Sequence, residues 1–328
     1  MNESKSNLND PSTALKRSSI QDSKSQSEEI DLKELLSVIW AGKALIIWVS
    51  GLFAALAVLY ALLQPNIYRS EALLAPVQAA DSASALASKF GGLASLAGVN
   101  IPIGSVDKTS LAIEYVKSRV FFKTFMQNHP SVLPELMAVD KWNAKDNTLK
   151  FDDELYNLET DEWVREVDFP KKPKPSAQEA HLVFREILSI SQDKESSFVT
   201  FAVEHQSPYV AAQWVGWLVE DLNNALREND IAQSKRSIAY VQSELENTSI
   251  SEMRSSLFEL IQSQTQTIML ANASPEYIFK TVDPGVVPEL KAKPQRALIV
   301  VLGVMLGGML SVLIVLVRNY RKNEDAAS

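Results

Sequence analysis

The sequence predicts an α+β protein with two transmembrane helices, a membrane-proximal α/β base and a long helical arm. Three observations carry that expectation. Two uncharged apolar blocks, residues 44–63 and 297–317, lie near opposite ends of the 328-residue chain. Short β-like runs cluster just after the first block and just before the second. Between them, from residue 209 to about 271, no proline interrupts an extended helical pattern.

The blocks read ALIIWVSGLFAALAVLYALL and ALIVVLGVMLGGMLSVLIVLV. About 20 apolar residues span the ~30 Å hydrocarbon core of a bilayer as a helix. A cleaved signal peptide fits poorly, because a long polar stretch precedes the first block and Gln64, Pro65 and Asn66 follow it in place of a small-residue cleavage site. Lys33 and Lys43 precede the first span and Arg69 follows, which favours a cytoplasmic amino terminus. Two spans then put both tails on the cytoplasmic side and the middle outside. Around the second span the basic residues balance: Lys291, Lys293 and Arg296 against Arg318, Arg321 and Lys322.

The expected organisation follows in chain order. Residues 1–27, rich in Ser, Asn, Lys and Asp, form a disordered tail. Residues 28–43 begin with EEIDLKELLSVIW, an amphipathic helix at the membrane interface. The first span is 44–63, the outer domain 64–296, the second span 297–317, and the tail 318–328. Within the outer domain a strand is expected at 68–75. Residues 79–105, dominated by Ala, Ser and Gly, lack the side chains to build a core of their own. A helix is expected over 111–126, with Ile113, Val116, Val120 and Phe121 on one side, then irregular structure with short helices over 127–175. Ser176 and Glu179 make a capping box, hydroxyl and carboxylate each satisfying a backbone donor, for a helix to about Leu188. Residues 188–192 and 197–205 form a hairpin around Asp193, Lys194, Glu195 and Ser196, with Val199, Phe201 and Val203 on one face.

Ser207 and Pro208 open the arm, about 207–271, since serine caps free amides and proline has none. Ile231, Ile238 and Leu245 recur at heptad spacing, which implies a helical partner along a long seam. The rhythm slips at 247–251, where the helix either continues or turns back. A last strand is expected at 277–282, giving about four in the sheet. Pro284, Pro288 and Pro294 then stiffen the approach to the second span and form a candidate coupling segment. Gly303 and Gly307, with Gly308 and Ser311 beyond, form a small-residue stripe. Gly51 and Ala55 offer the same spacing on the first span, so these six residues are the candidate helix-packing set.

Chemistry finds no foothold. Cysteine is absent and the net charge is −8, so no global basic field exists to hold nucleic acid. His129, His181 and His205 are far apart without thiol partners, and no phosphate-binding loop or nucleophile elbow occurs. Acid clusters at Asp152, Asp153 and Glu154, and at Glu159, Asp161 and Glu162, read as solvated surface. No catalytic, cofactor-binding or metal-binding residue is expected.

Four segments together resemble the chain length determinant (Wzz) family of bacterial polysaccharide co-polymerases, over about residues 28–320. They are EEIDLKELLSVIWAGKALI with the strand containing YRSEA; SASALASKFGGLASLAG; SPYVAAQWVGWLVEDLNNALREND; and MLANASPEYIFKTVDPGVVPELKAKPQRALIVVLG. Gly285 departs from the alanine that often follows Asp-Pro in the family. The resemblance implies a ring-shaped homo-oligomer in the inner membrane with a periplasmic outer domain. It implies no active site of its own and no cofactor. Its expected partners are an O-antigen polymerase, the growing polysaccharide or its lipid-linked form, and the bilayer. It implies control of O-antigen chain length on lipopolysaccharide. Capsule, exopolysaccharide or enterobacterial-common-antigen regulation, with a separate kinase where export requires one, is the alternative. A two-span sensor would need an output module, which neither tail is expected to hold.

Overall fold

The computed structural model describes residues 32–77, 108–247 and 251–327. The expectations for the amino-terminal tail, for the small-residue segment and for the residues at which the arm slips register lie outside those residues. The chain divides into two compact units, residues 1–64 with 295–328 and residues 65–294.

The first unit is helical. Helix α1, Leu32–Ala41, passes through Gly42 into α2, Lys43–Leu63, and α9, Arg296–Ala327, packs along both. These helices are long and apolar enough to cross a membrane. Their outer faces are open: Trp48 is 80% exposed and Leu63 75%. Such exposure rules out a buried core helix and fits apolar solvent on that side.

The second unit is built on an antiparallel sheet of five strands in the order β6-β7-β1-β8, with β9 also pairing β1. Strand β1 spans Ile67–Pro76, β6 Leu188–Gln192, β7 Val199–His205, β8 Phe279–Asp283 and β9 Lys291–Lys293. In β7 the expected alternation is present: Val199, Phe201 and Val203 are fully buried. The hairpin turn before it is tied by Asp193, whose carboxylate accepts from the Glu195 and Ser196 amides, while Ser197 takes φ 62°. Strand β9 is an addition to the four strands expected; three residues with two lysines carry too little apolar signal to stand out.

Three corrections concern the helices and hairpins before β6. The single helix expected over 111–126 is two, α3 (Lys108–Val116) and α4 (Arg119–Asn128). The break is made by Ser118, whose hydroxyl accepts from the Phe121 amide, and by His181, which bonds the Lys117 carbonyl at 2.8 Å. The stretch expected to be irregular with short helices holds one short helix, α5 (Val132–Met137), as expected, but also two hairpins, β2 (Val139–Asn143) with β3 (Thr148–Phe151), and β4 (Tyr156–Asn157) with β5 (Glu162–Trp163). Their turns place Asn147 and Asp161 at φ 51° and 54°, a conformation Asn and Asp tolerate. At helix α6, Ala177–Ile187, only half of the expected capping box forms. Ser176 accepts from the Glu179 amide, but the Glu179 carboxylate is held by both Arg165 guanidinium nitrogens at 2.6 and 2.8 Å. A charged two-point bond outcompetes a return bond to a single amide.

The arm is a pair of helices. Helix α7 spans Pro208–Asn247 and α8 spans Ser251–Ala273. At about 1.5 Å per residue the first is roughly 60 Å long. Helix α8 runs back along α7: Arg254, near its start, reaches the Leu245 carbonyl near the end of α7, and Tyr277, past the end of α8, donates to Asp230. The seam includes the heptad series Ile231, Ile238 and Leu245, half-buried, and also Ser234 and Val241, both buried. Leu257, Leu260, Ile261 and Ala271 answer from α8. The core of the unit lies where the root of α7 covers the sheet, with Trp214, Leu218 and Leu222 fully buried among Phe121, Phe125, Phe184, Phe201 and Phe279.

Candidate functional site

Two places combine close packing with residues singled out in the sequence: the helix pair of the first unit, and the proline segment with its neighbouring cleft in the second.

In the helix pair, Gly303 and Gly307 face α2 so closely that a methyl would not fit. A Cβ at 303 would lie 2.5 Å from the Ala57 methyl, and one at 307 would lie 2.7 Å from the Phe53 Cβ. A Cβ at Gly308 would stand in ordinary contact with Ser50, and Ser311 is fully buried, its hydroxyl donating to the Gly308 carbonyl. On α2 the facing residues are Ser50, Phe53, Ala57 and Ala61. Gly51 and Ala55 are not among them: both are exposed, and nothing lies within 4 Å of a Cβ built at Gly51. Spacing alone could not tell which of several small-residue rows turns inward. Two further residues carry the packing. Gly42, at the α1–α2 junction, lets Val315 approach to where a Cβ would be 2.6 Å away. Arg296 donates from Nε to the Ala61 carbonyl at 3.1 Å, a cation on the carbonyl-rich end of α2.

In the second unit the proline segment is fastened along one edge of β1. Strand β8 pairs Leu73 to Pro76 and β9 pairs Ile67 and Tyr68, so the chain containing Pro284 and Pro288 leaves that edge and returns to it. Pro294 follows directly. Midway, the buried Ser70 hydroxyl donates to the Val286 carbonyl at 2.8 Å. Lys293 at the end of β9 forms an ion pair with Glu204 of β7 at 2.5 Å. Gly285 sits against α7: a Cβ there would lie 2.9 Å from Val215. An alanine at this position would therefore collide with Val215.

Beside Gly285 lies an open cleft of about 280 Å³ between α7 and β8. Val215 and Val219 form its apolar floor, with Glu220, Asn224, Glu276 and Thr281 among the polar rim. Its inner end is fixed by Asn223, whose Oδ1 accepts from the Ile278 and Phe279 amides while Nδ2 donates to the Phe279 carbonyl. Backbone and side-chain bonds from Thr281 hold the Glu276 carboxyl below its ordinary range.

The three histidines serve packing. His205 is 7% exposed, donates from Nε2 to the Glu135 carbonyl and accepts the Ser207 amide at Nδ1, and its burial pushes its pKa down. His129 stacks on Trp217 at 4.1 Å with Nε2 3.2 Å from Asp221. Burial pushes the Glu135 carboxyl up despite a 2.8 Å bond from the Trp214 indole. The acid clusters are turn residues: Asp152 accepts from the Glu154 amide, and Asp161 from the Tyr156 hydroxyl. Among the described residues no group of His, Asp and Glu could hold a metal ion.

An α+β unit carrying a helical arm, inserted between two apolar helices, defines a class of polytopic membrane protein with a large extramembrane insert. Residues 28–129 match the family model for the chain length determinant protein, Wzz, and residues 245–320 match that for the "G-rich domain on putative tyrosine kinase". Over residues 28–129, then, the chain carries a chain length determinant (Wzz) domain. It is similar to the structure of a full-length bacterial polysaccharide co-polymerase, with 17% identity, TM-score 0.37, and coverage of 89% of this chain and 99% of that one. It is also similar to a fragment of WzzB, a polysaccharide co-polymerase from Salmonella Typhimurium, with 14% identity, TM-score 0.26, and coverage of 70% and 100%. No curated protein matches the sequence.

Proposed function

We propose that this protein sets the chain length of the O-antigen polysaccharide of lipopolysaccharide, acting without catalysis as an oligomeric partner of the O-antigen polymerase. The observation that carries the reading is the chain length determinant match over residues 28–129, which takes in the first span and β1. The protein sits in the inner membrane with both tails cytoplasmic and residues 64–296 periplasmic. Copies associate side by side into a ring, and the growing glycan contacts the outer domain. Gly303, Gly307, Gly308 and Ser311 set the packing of the spans, and the fastened segment with Pro284, Pro288 and Pro294 couples the outer domain to the second span. Deleting the gene and complementing it tests the reading on the lipopolysaccharide ladder: loss of a preferred length on deletion, and its return on complementation.

A second reading has its own support in the match of residues 245–320 to a domain named for a tyrosine kinase. In that reading the protein regulates capsule or exopolysaccharide, or enterobacterial common antigen, with a separate kinase where export needs one. An unchanged lipopolysaccharide ladder together with altered capsule would select it.

A further inference from the structure

The two edges of the sheet carry faces of opposite character. At the β6 edge, α6 runs directly into its strand and packs on α4 through the stacked rings of Phe122 and Phe184, centroids 4.6 Å apart. Arg185 of α6 reaches the Lys117 carbonyl in the link between α3 and α4, so α6 adjoins the amino-terminal end of α4. That surface exposes two large apolar residues, Leu182 (62%) and Val120 (66%), on helices whose other outward residues include Arg119, Lys123 and Arg185 and one carboxylate, Glu186. At the β8 edge lies the 280 Å³ cleft with its valine floor and the carboxylates of Glu220 and Glu276 on the rim. Because the strand order runs from β6 to β8, the two faces lie at opposite edges of one unit and cannot meet within a single chain.

We infer that the α4–α6 face of one copy docks on the β8-edge cleft of the next, Leu182 and Val120 covering the cleft while the basic residues around them face Glu220 and Glu276. The occupant is a second copy of this chain. An apolar projection whose neighbours carry an excess of cations, Arg119, Lys123 and Arg185 against Glu186, complements an apolar hollow bearing Glu220 and Glu276 with Lys280 nearby, and complementary charge fixes register as well as partner. The contact joins unlike faces, so it is heterologous and propagates from copy to copy until rotation closes it. The inference rests on the self-association in the proposed function and adds which surfaces meet.

The absence of cysteine makes the test direct. Leu182→Cys is combined with Asn224→Cys, or with Gly216→Cys, in the full-length chain in native membranes, and a short thiol-reactive crosslinker is applied. An amine-reactive crosslinker on the same membranes reports self-association independently. The expected result is a ladder of thiol-linked multimers for the double variants and none for each single variant. Arg185→Glu with Lys123→Glu lowers the thiol yield several-fold, while Lys235→Glu on the arm leaves it unchanged. Amine-linked multimers without a thiol ladder, or thiol dimers from a single variant, overturn the heterologous contact and leave self-association standing. Absence of multimers with both reagents overturns self-association as well.

Discussion

Gly303 and Ala57 meet across the two apolar helices with no room for a side chain, since a Cβ on the glycine would stand 2.5 Å from the alanine methyl. Packing in a bilayer depends on such close approach, because lipid gives apolar helices little reason to associate otherwise. Replacing Gly303 or Gly307 with leucine separates the helices at a cost of about 1–3 kcal/mol. Gly51→Leu leaves the pairing intact. A cysteine pair at Ser50 and Gly308 reads the difference, its disulfide yield falling sharply with Gly303→Leu and unchanged with Gly51→Leu.

Gly285 and Val215 make the corresponding contact in the outer unit. Gly285→Ala forces the proline segment away from α7 and lowers the thermal midpoint, and Val215→Ala in the same chain restores part of the loss. Additive effects of the two substitutions would show that the methyl and the valine do not compete for one space.

Asn223 ties α7 to β8 with three hydrogen bonds to backbone groups of Ile278 and Phe279 and is 4% exposed. Asn223→Leu leaves those groups buried without partners and destabilises the outer unit by about 2–5 kcal/mol. Amide exchange at Phe279 rises in the variant before exchange in β7 does.

Among the groups through which acid acts on the outer unit are Glu179 and His205. Arg165 holds the Glu179 carboxyl below its ordinary value of 4.5, so this pair contributes stability above that pH and loses it as the pH falls through the lowered value. The wild-type advantage over Glu179→Gln therefore shrinks below about pH 4.5. His205 is held neutral by burial, and unfolding releases it to titrate near 6.5. Its contribution is complete above that pH and declines below it, a decline that His205→Gln flattens. Unfolding midpoints measured from pH 7 down to 4 separate the two effects by the pH at which each begins.

Much of this architecture was legible because it follows from composition and period. The apolar blocks, the alternation in β7, and Ser207 with Pro208 at the start of α7 each depend on residues adjacent in sequence. What escaped depends on contacts from afar. The break at Ser118 is stabilised by His181 on another helix, the Glu179 carboxylate is diverted by Arg165, and strand β9 exists only because β1 offers an edge. In the candidate site, the row holding Gly303, Gly307 and Ser311 could be read from spacing, but the partner row could not. Ala57 and Ala61 repeat at the same four-residue spacing as Gly51 and Ala55, so spacing could not choose between the rows, and Gly42 stood outside any repeat.

The most direct test of the account is the lipopolysaccharide ladder from a strain lacking this gene, compared with the same strain complemented by the full chain. Control of O-antigen length predicts a random, short-weighted ladder on deletion and a tight cluster of lengths on complementation. A ladder that is the same with and without the gene would contradict it.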